Sequence, residues 1–182
     1  MLILIGPSAS GKTEIVKILI KNYSMEKLVT YTSRPMRVGE IKDKDYHFIE
    51  KNDFEERIKN NFFFEHVEYN GNYYGTAKED LTKNKVVILE KNGLNHYIEH
   101  VRKEITIVYL KCEESVLKQR MINRGDEEEI INKRLSGDKV KFDSSIESVA
   151  DLVMDTSYSN IYEDAEKIYN FYQERLNNEN IR

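Results

Sequence analysis

The sequence predicts an α/β domain in which helices flank a parallel sheet. Two observations predict it. A short apolar run leads at once into a glycine-rich turn and a helical pattern, and from residue 86 onward apolar runs alternate with helical patterns. Strands separated by helical segments of this length imply parallel pairing through right-handed crossovers. A chain of 182 residues is long enough for one such domain with small insertions.

The first strand, turn and helix are predicted from local patterns. Residues 2–5 form a continuous apolar run, which is typical of a strand buried on both faces. Apolar side chains at Ile15, Ile18 and Leu19 then follow helical spacing, and this pattern ends near Tyr23. These residues therefore predict a strand–loop–helix unit.

A small insertion of mixed helix and strand is predicted for residues 30–79. Short β-like pieces precede residues 53–59, for which Asn52 has the pattern of a helix cap. Asn70-Gly71 then separates two β-like segments, and this dipeptide supplies the positive φ angles of a tight hairpin turn. We expect the phenylalanine run at 62–64 to form the insertion's own small core.

Strands and helices alternate again after the insertion. We predict strands at 86–89, 105–110 and 149–154, and helices at 94–101, 114–123 and from about residue 160 onward. The last helix carries apolar side chains on one face and should dock on the sheet. The charge-rich residues 119–141 predict a mobile helical flap. The expected organisation is a single domain with its core at 1–29, 80–118 and 142–182.

Composition excludes several classes of partner. The formal net charge is −4, so no global field attracts nucleic acid or an anionic membrane, and a local basic cluster must grip any anionic ligand. The single cysteine, Cys112, rules out an internal disulfide and suits a reducing compartment. We find no apolar run of membrane-spanning length and no charged leader, and the four histidines lack metal-ligand spacing. We therefore expect a cytoplasmic protein that binds neither membrane nor nucleic acid.

A phosphate-binding loop (P-loop) follows the first strand. The pattern G-x-x-x-x-G-K-[ST] is complete at residues 6–13. Glycines let successive main-chain N–H groups turn toward a phosphate, and the N-terminus of the following helix adds a fixed positive dipole. In such loops the lysine reaches the β- and γ-phosphates and the hydroxyl ligates Mg²⁺. We therefore expect a P-loop NTPase-type sheet that binds a nucleoside triphosphate through Gly6, Pro7, Ser8, Ala9, Ser10, Gly11, Lys12 and Thr13, with Thr13 on the metal.

Four further blocks resemble the guanylate kinase family. They are Thr32-Ser-Arg-Pro-Met-Arg37 with Gly39-Glu40, Lys44-Asp-Tyr-His-Phe48, Glu65 with Tyr69-Asn-Gly-Asn-Tyr-Tyr-Gly-Thr76, and Arg124-Gly125 with Lys133-Arg134-Leu135. The blocks stand in the family's order at similar spacing, and the resemblance spans nearly the whole chain. It implies a core that binds ATP, a GMP-binding insertion at 30–79 and a closing lid at 119–141.

The resemblance implies transfer of the γ-phosphoryl group from ATP to GMP, and to dGMP, with Mg²⁺, by a monomer or weak homo-oligomer. The phosphate of GMP is already anionic near neutral pH, so this acceptor needs no general base. The chemistry requires positive charge around two polyanions, in-line positioning and exclusion of water. The absence of a kinase-type catalytic aspartate motif agrees with this requirement.

The acceptor phosphate is expected to contact residues of the insertion. By resemblance, Arg34 and Arg37 bind it, because the planar guanidinium fork holds phosphate bidentately and keeps its charge. The phenols of Tyr46 and Tyr74 add donors, and Thr30 aligns with a hydroxyl position near the same phosphate.

The guanine base is expected to be read by a carboxylate. Glu65 offers two acceptors to the N1 hydrogen and exocyclic amine of guanine, whereas adenine presents an acceptor at N1. Thr76 and Glu90 are expected to add base contacts. The lid arginines could close on ATP, or could instead form exposed pairs with the acids at 127–129. The residues expected to act on ATP or the transferred group are Lys12, Arg37, Arg120, Arg124 and Arg134.

Departures from the family pattern leave two alternatives open. The family's Asp-x-Asp pair is Ile88 and Glu90 here, so loss of one carboxylate could shift the acceptor to another nucleoside monophosphate or a phosphorylated small molecule. Related domains in scaffold proteins bind peptides without catalysis, although they typically lack an intact P-loop. The pair Ala9-Ser10 replaces the common Gly-x pair, at positions expected to tolerate it without consequence.

Overall fold

The computed structural model describes residues 1–36, 39–69, 71–89, 91–142 and 144–179. Strands and helices alternate through these ranges. The strands are β1 (Leu2–Ile5), β2 (Glu26–Lys27), β3 (Tyr31–Thr32), β4 (His47–Phe48), β5 (Phe63–Tyr69), β6 (Asn72–Ala77), β7 (Lys85–Ile88), β8 (Thr106–Lys111) and β9 (Leu152–Asp155). The helices are α1 (Lys12–Tyr23), α2 (Lys51–Lys59), α3 (Lys91–Val101), α4 (Glu114–Asn123), α5 (Glu128–Lys141), α6 (Ser144–Val149) and α7 (Ile161–Glu179), with short 3₁₀ turns at Lys78–Asp80 and Arg102–Glu104.

The chain divides into two compact units. The larger unit contains residues 1–26 and 86–182, and the smaller contains residues 27–85. The smaller unit includes the predicted insertion at 30–79. The predicted bounds of core, insertion and lid stay predictions.

The larger unit contains a five-stranded sheet in the order β2-β7-β1-β8-β9. Strand β1 pairs in parallel with both β7 and β8, and β8 pairs in parallel with β9. All four side chains of β1 are fully buried, as expected for the central strand of a sheet covered on both faces. The predicted α/β class with a mostly parallel sheet is confirmed.

The last strand begins later than predicted. Helix α6 ends at Val149 and β9 begins only at Leu152, so the strand predicted for 149–154 is wrong in its first half. Asp151 explains the boundary: its main-chain N–H donates to the Ile107 oxygen, and its carboxylate accepts a 2.8 Å hydrogen bond from the Ile107 N–H. A side chain therefore replaces the strand ladder at this point.

Helices α1 and α7 cover one face of the sheet. Their buried side chains form one cluster with inward side chains of β1 and β8. The apolar face predicted for the last helix lies in this cluster, through Ala165, Ile168 and Tyr172. Its docking on the sheet is confirmed, and burial of this apolar surface holds the strand–loop–helix unit in place.

The P-loop requires glycine at its first position. A Cβ atom on Gly6 would lie 2.5 Å from the Leu110 main-chain oxygen on the neighbouring strand. Gly11, which precedes α1, has a φ of +99°, a conformation that other residues rarely adopt. Ala9 also has a left-handed φ of +63°. The expectation that alanine has no consequence at this position is therefore wrong, since a Cβ there costs about 1 kcal/mol.

The smaller unit contains a four-stranded mixed sheet in the order β4-β3-β6-β5. Strands β5 and β6 form the predicted hairpin; its turn contains Gly71, at a φ of +74°, whereas Asn70 lies outside the described residues. Phe63 packs here as predicted, stacked on the fully buried Phe54 at 4.2 Å between ring centroids. Helix α2 begins at Lys51, so the predicted cap at Asn52 is wrong.

Residues 119–123 and 128–141 are helical, as predicted, and residues 124–127 form a non-helical connection between them. The end of α4 and the whole of α5 lie here, and the two helices pack through Leu117, Met121 and Ile131. Ala9 of the P-loop packs against the same cluster. The movement of this segment stays a prediction. Among the helices in the described ranges, none has the length and apolar character needed to cross a membrane.

We predict that Gly6→Ala lowers the free energy of unfolding by more than about 2 kcal/mol, because the new Cβ would collide with the Leu110 oxygen. The matched control is Gly137→Ala in α5, where a Cβ would meet no atom within 4 Å. Alanine should there stabilise the helix by about 0.5–1 kcal/mol. Urea unfolding followed by circular dichroism measures both variants. Wild-type stability in Gly6→Ala would contradict the close approach.

Candidate active site

A cavity of about 370 Å³ lies beside the P-loop in the larger unit. Residues 9–15 form one side of the cavity, and Arg120 and Arg124 form another. The loop that precedes α7 and the first turn of α7 form the rest. A volume of this size is typical of small-molecule sites. The helix N-terminus and the loop amides make its P-loop side suited to an anion.

The ammonium group of Lys12 lies folded onto its own loop. Its Nζ donates 2.7 Å hydrogen bonds to the carbonyl oxygens of Gly6 and Pro7, and contacts Ser10 Oγ at 3.4 Å. The lysine thereby places a positive charge within the loop and also satisfies two of the loop's acceptors.

Arg120 connects the P-loop to the segment that follows β9. Its Nη1 donates to the Ala9 oxygen at 3.2 Å, and its Nη2 donates to the Thr156 oxygen at 2.5 Å. The buried Thr156 hydroxyl donates in turn to the Ser10 oxygen at 2.9 Å. These bonds hold the main-chain oxygens of Ala9 and Ser10 in place.

Arg124 and Arg134 share one carboxylate. Asp126 accepts from Arg124 Nε at 3.0 Å and from Arg134 Nη1 at 3.1 Å, and it also pairs with Arg124 Nη2. Hydrogen bonds from the Arg124 guanidinium lower the pKa of Asp126 below its usual value, and they raise the pKa of Arg124. The acid that pairs with these arginines is thus Asp126, rather than the predicted acids at 127–129.

A second set of predicted residues lies in the smaller unit. The Arg34 guanidinium forms a bidentate pair with Glu40, with N–O distances of 2.7 and 3.0 Å, and its carbon lies 5.5 Å from the centre of the Tyr46 ring. Tyr46 meets Tyr74 edge to face at 6.2 Å. The pair with Glu40, followed by a bond to Tyr74, raises the pKa of Arg34. Arg34 also lines a cavity of about 450 Å³ that includes Lys42.

Glu65 and Thr76 form a cross-strand pair. The two residues lie opposite each other on β5 and β6, and the buried Thr76 hydroxyl donates to Glu65 Oε1 at 2.8 Å. This bond fixes the orientation of a half-buried carboxylate. The fixed carboxylate can accept hydrogen bonds from a ligand that carries adjacent donors.

Comparisons with known proteins decide the family. The sequence model of the family described as "Guanylate kinase" matches residues 1–172. The chain belongs to the guanylate kinase family. A relative named guanylate kinase from Clostridium tetani is 40% identical over 135 residues, which cover 71% of this chain and 65% of the relative. One from Wolinella succinogenes is 38% identical over 144 residues, covering 74% of this chain and 67% of the relative. The chain thus matches just under two thirds of the length of the first relative.

Two solved structures share the fold of this chain. The crystal structure of guanylate kinase from Anaplasma phagocytophilum superposes with a TM-score of 0.65 at 23% identity, covering 95% of this chain and 84% of that one. A gluconokinase from Sinorhizobium meliloti superposes with a TM-score of 0.55 at 14% identity, covering 99% and 95%. At these identities the likeness shows the fold alone. The predictions of guanylate kinase family and P-loop fold are confirmed.

The structure brings several predicted residues together within each unit. In the larger unit the P-loop, Arg120 and Arg124 line one cavity, while Arg134 joins Arg124 through Asp126. In the smaller unit the main-chain oxygen of Thr30 accepts a 2.9 Å hydrogen bond from the N–H of His47 in β4. Two residues assigned from the guanylate kinase resemblance, Arg37 and Glu90, lie outside the described residues. The roles of all these residues stay predictions.

Sequence reasoning did not assign a site role to four residues that contact the predicted set. The carboxylates of Glu40 and Asp126 pair with arginines. The Thr156 hydroxyl and the Asp138 carboxylate bond to the main chain of the P-loop. Glu40 and Asp126 stand within eight residues of their partners, so local charge pattern could have suggested them. The other two contacts span over a hundred residues.

We predict a pH-dependent contribution of Asp126 to stability. A folded-state pKa below the unfolded value stabilises the protein at pH values above the unfolded pKa, and this stability is lost as pH falls through the folded pKa. Wild type should therefore be more stable than Asp126→Asn near neutral pH, and the difference should shrink below about pH 4. Thermal unfolding of both proteins from pH 3 to 7 measures it. A difference that is independent of pH would refute this role.

Proposed function

We propose that the protein transfers the γ-phosphoryl group of ATP to GMP, giving ADP and GDP, and accepts dGMP as well. The observation that supports this proposal best is a complete P-loop, of which residues 9–13 line a cavity of about 370 Å³, in a chain of the guanylate kinase family. We also retain the cytoplasm as its location and a monomer or weak homo-oligomer as its state.

The acceptor requires no general base in this reaction. A monoester phosphate has its second pKa near 6, so its oxygen is an anionic nucleophile at neutral pH. Catalysis then rests on bringing two polyanions into line, neutralising the charge on the transferred group and excluding water.

On the donor side, Lys12 would contact the β- and γ-phosphates, with Arg120 on ATP and Arg124 and Arg134 on the transferred group. The Thr13 hydroxyl lies at the start of α1, is exposed, and lines the cavity of about 370 Å³. An oxygen donor in this position suits Mg²⁺, which commonly takes few protein ligands and several phosphate or water oxygens. Mg²⁺ held by Thr13 would neutralise charge on the phosphates.

On the acceptor side, Arg34 would bind the GMP phosphate with Arg37, Tyr46, Tyr74 and Thr30. Its present partner Glu40 holds the guanidinium in one orientation through two hydrogen bonds, so a phosphate that shares or replaces this pair meets a group that is already ordered. The residues we assign to the base are Glu65, Thr76 and Glu90.

One observation favours a second candidate, a related kinase with a different acceptor. Ile88 stands at the end of β7 where family members carry an acid, and its side chain is 36% exposed. Loss of a carboxylate at this position favours a different nucleoside monophosphate, or another phosphorylated small molecule, as the acceptor. The intact P-loop lysine argues against the further alternative of a binding module without catalysis.

An acceptor panel tests the proposal. ADP release from ATP is measured in a coupled assay with GMP, dGMP, AMP, CMP and UMP, with and without Mg²⁺. The proposal expects GMP to give the highest kcat/KM. A higher value for another nucleotide would support the second candidate, and no release with any acceptor would overturn both.

Lys12→Ala should lower kcat by about 100-fold or more, because removal of a preorganised cation leaves charge on the transferred group unbalanced. Lys17→Ala is the matched control: Lys17 is an exposed lysine of α1, paired with Glu14 at 2.7 Å, and its loss should leave kcat unchanged. Steady-state kinetics with GMP measures both. Wild-type turnover in Lys12→Ala would remove this lysine from the mechanism.

Glu65→Gln should raise the KM for GMP and lower the preference for GMP over AMP by about tenfold or more. The amide presents an N–H₂ group where guanine also presents donors, whereas adenine gains a partner at N1. Glu68→Gln on the same strand is the control, because Glu68 is exposed. The ratio of kcat/KM values for the two nucleotides is the readout. An unchanged ratio would mean that the base is recognised elsewhere.

A further inference from the structure

One carboxylate of α5 contacts the P-loop directly. The main-chain N–H of Ser8 donates a 2.6 Å hydrogen bond to Asp138 Oδ2, and the two residues are 130 positions apart. A bond from an amide to an ionised carboxylate is about twice as strong as one between neutral groups. It therefore provides a directional link between the predicted lid helix and the loop.

This contact lies outside the proposed nucleotide cavity. Neither Ser8 nor Asp138 is among the described residues that line the cavity of about 370 Å³. Asp138 lines a separate, smaller cavity of about 120 Å³, together with Pro7, Tyr109 and Phe142. The bond from Ser8 can consequently persist while a nucleotide occupies the larger cavity.

Apolar packing supports the same docking of α5. Leu135 packs against the cluster of α4 and α5 that also includes Ala9 of the P-loop. At the end of the helix, the Phe142 ring stacks with Tyr109 of β8 at 6.2 Å between centroids. Nondirectional contacts such as these hold the helix near the loop, and the hydrogen bond from Ser8 determines its rotation and height.

Arg134 lies one helical turn before Asp138. Residues four apart occupy the same face of a helix, with about 6 Å between them along its axis. The Arg134 side chain is 44% exposed and held by Asp126, so it is free to exchange this partner for a phosphate. The bond between Asp138 and the P-loop therefore sets how far Arg134, on the same helix, lies from the phosphates.

We propose that Asp138 is a positioning residue that anchors α5 to the P-loop and so places Arg134 for phosphoryl transfer. This inference rests on the proposed function. Under this proposal, residue 138 must provide a hydrogen-bond acceptor for the Ser8 N–H, but that acceptor does not need a negative charge. If the carboxylate instead competed with ATP as an anion, the charge would be the property that matters.

Two substitutions of Asp138 separate these requirements. Asp138→Ala removes the acceptor, and kcat should fall about tenfold or more while the KM for ATP stays within about twofold, since misplacement by about 1 Å costs up to 100-fold. Asp138→Asn keeps an oxygen acceptor and should retain kcat within about threefold. Glu129→Ala, which removes an exposed acid from the same helix, should leave both constants unchanged. A lower KM for ATP in both Asp138 variants would overturn the proposal in favour of anion competition.

A double-mutant cycle tests whether Asp138 acts through Arg134. Arg134→Ala alone should lower kcat, and adding Asp138→Ala should lower it no further, because the positioned group is gone. Additive losses would overturn the proposal. A readout independent of activity is the Ser8 amide in nitrogen-15 NMR: its hydrogen exchange should accelerate in Asp138→Ala and not in Asp138→Asn. Unchanged exchange in both would exclude the contact, whereas a wild-type enzyme inactive with every acceptor would refute only the proposed function.

Discussion

The shape of the P-loop depends on the hydrogen bonds that satisfy its carbonyl oxygens. Lys12 donates to two of them, Arg120 to a third and Thr156 to a fourth. These donors satisfy the carbonyl groups from within the chain, so the loop's own hydrogen bonds support its conformation. Ala9, in a left-handed conformation, adds strain that these bonds must offset. Binding of a phosphate to a preorganised loop loses less free energy to ordering of the loop.

Carboxylates organise the cations in both units. Arg34 pairs with Glu40, and Arg124 and Arg134 share Asp126. Ion pairs near the surface contribute little to stability, so phosphate can replace their carboxylates without a large loss of folding free energy. The pairs still hold each guanidinium in one orientation. This arrangement favours ready exchange between a protein carboxylate and a ligand phosphate.

Local sequence pattern predicted most of the fold but misplaced some element boundaries. The helix predicted for 114–123 is α4 as observed, and the hairpin predicted around Gly71 is β5 and β6. Helical spacing and turn residues act over a few positions, so they are readable without a structure. The start of β9 was misplaced because Asp151 uses its side chain to bond β8, a contact that depends on a strand 44 residues away.

By itself, the sequence determined the phosphate-binding loop, the parallel sheet and the chemical types that an anion site needs, because these follow from local residue types and spacing. The tertiary structure alone decided which groups meet: Asp138 with the Ser8 amide, Thr156 with the loop, and Glu65 with Thr76. Hydrogen bonds form only within about 3 Å and at favourable angles. Whether groups far apart in the chain satisfy both conditions is set by the packing of helices on the sheet and by strand register, which local pattern does not encode.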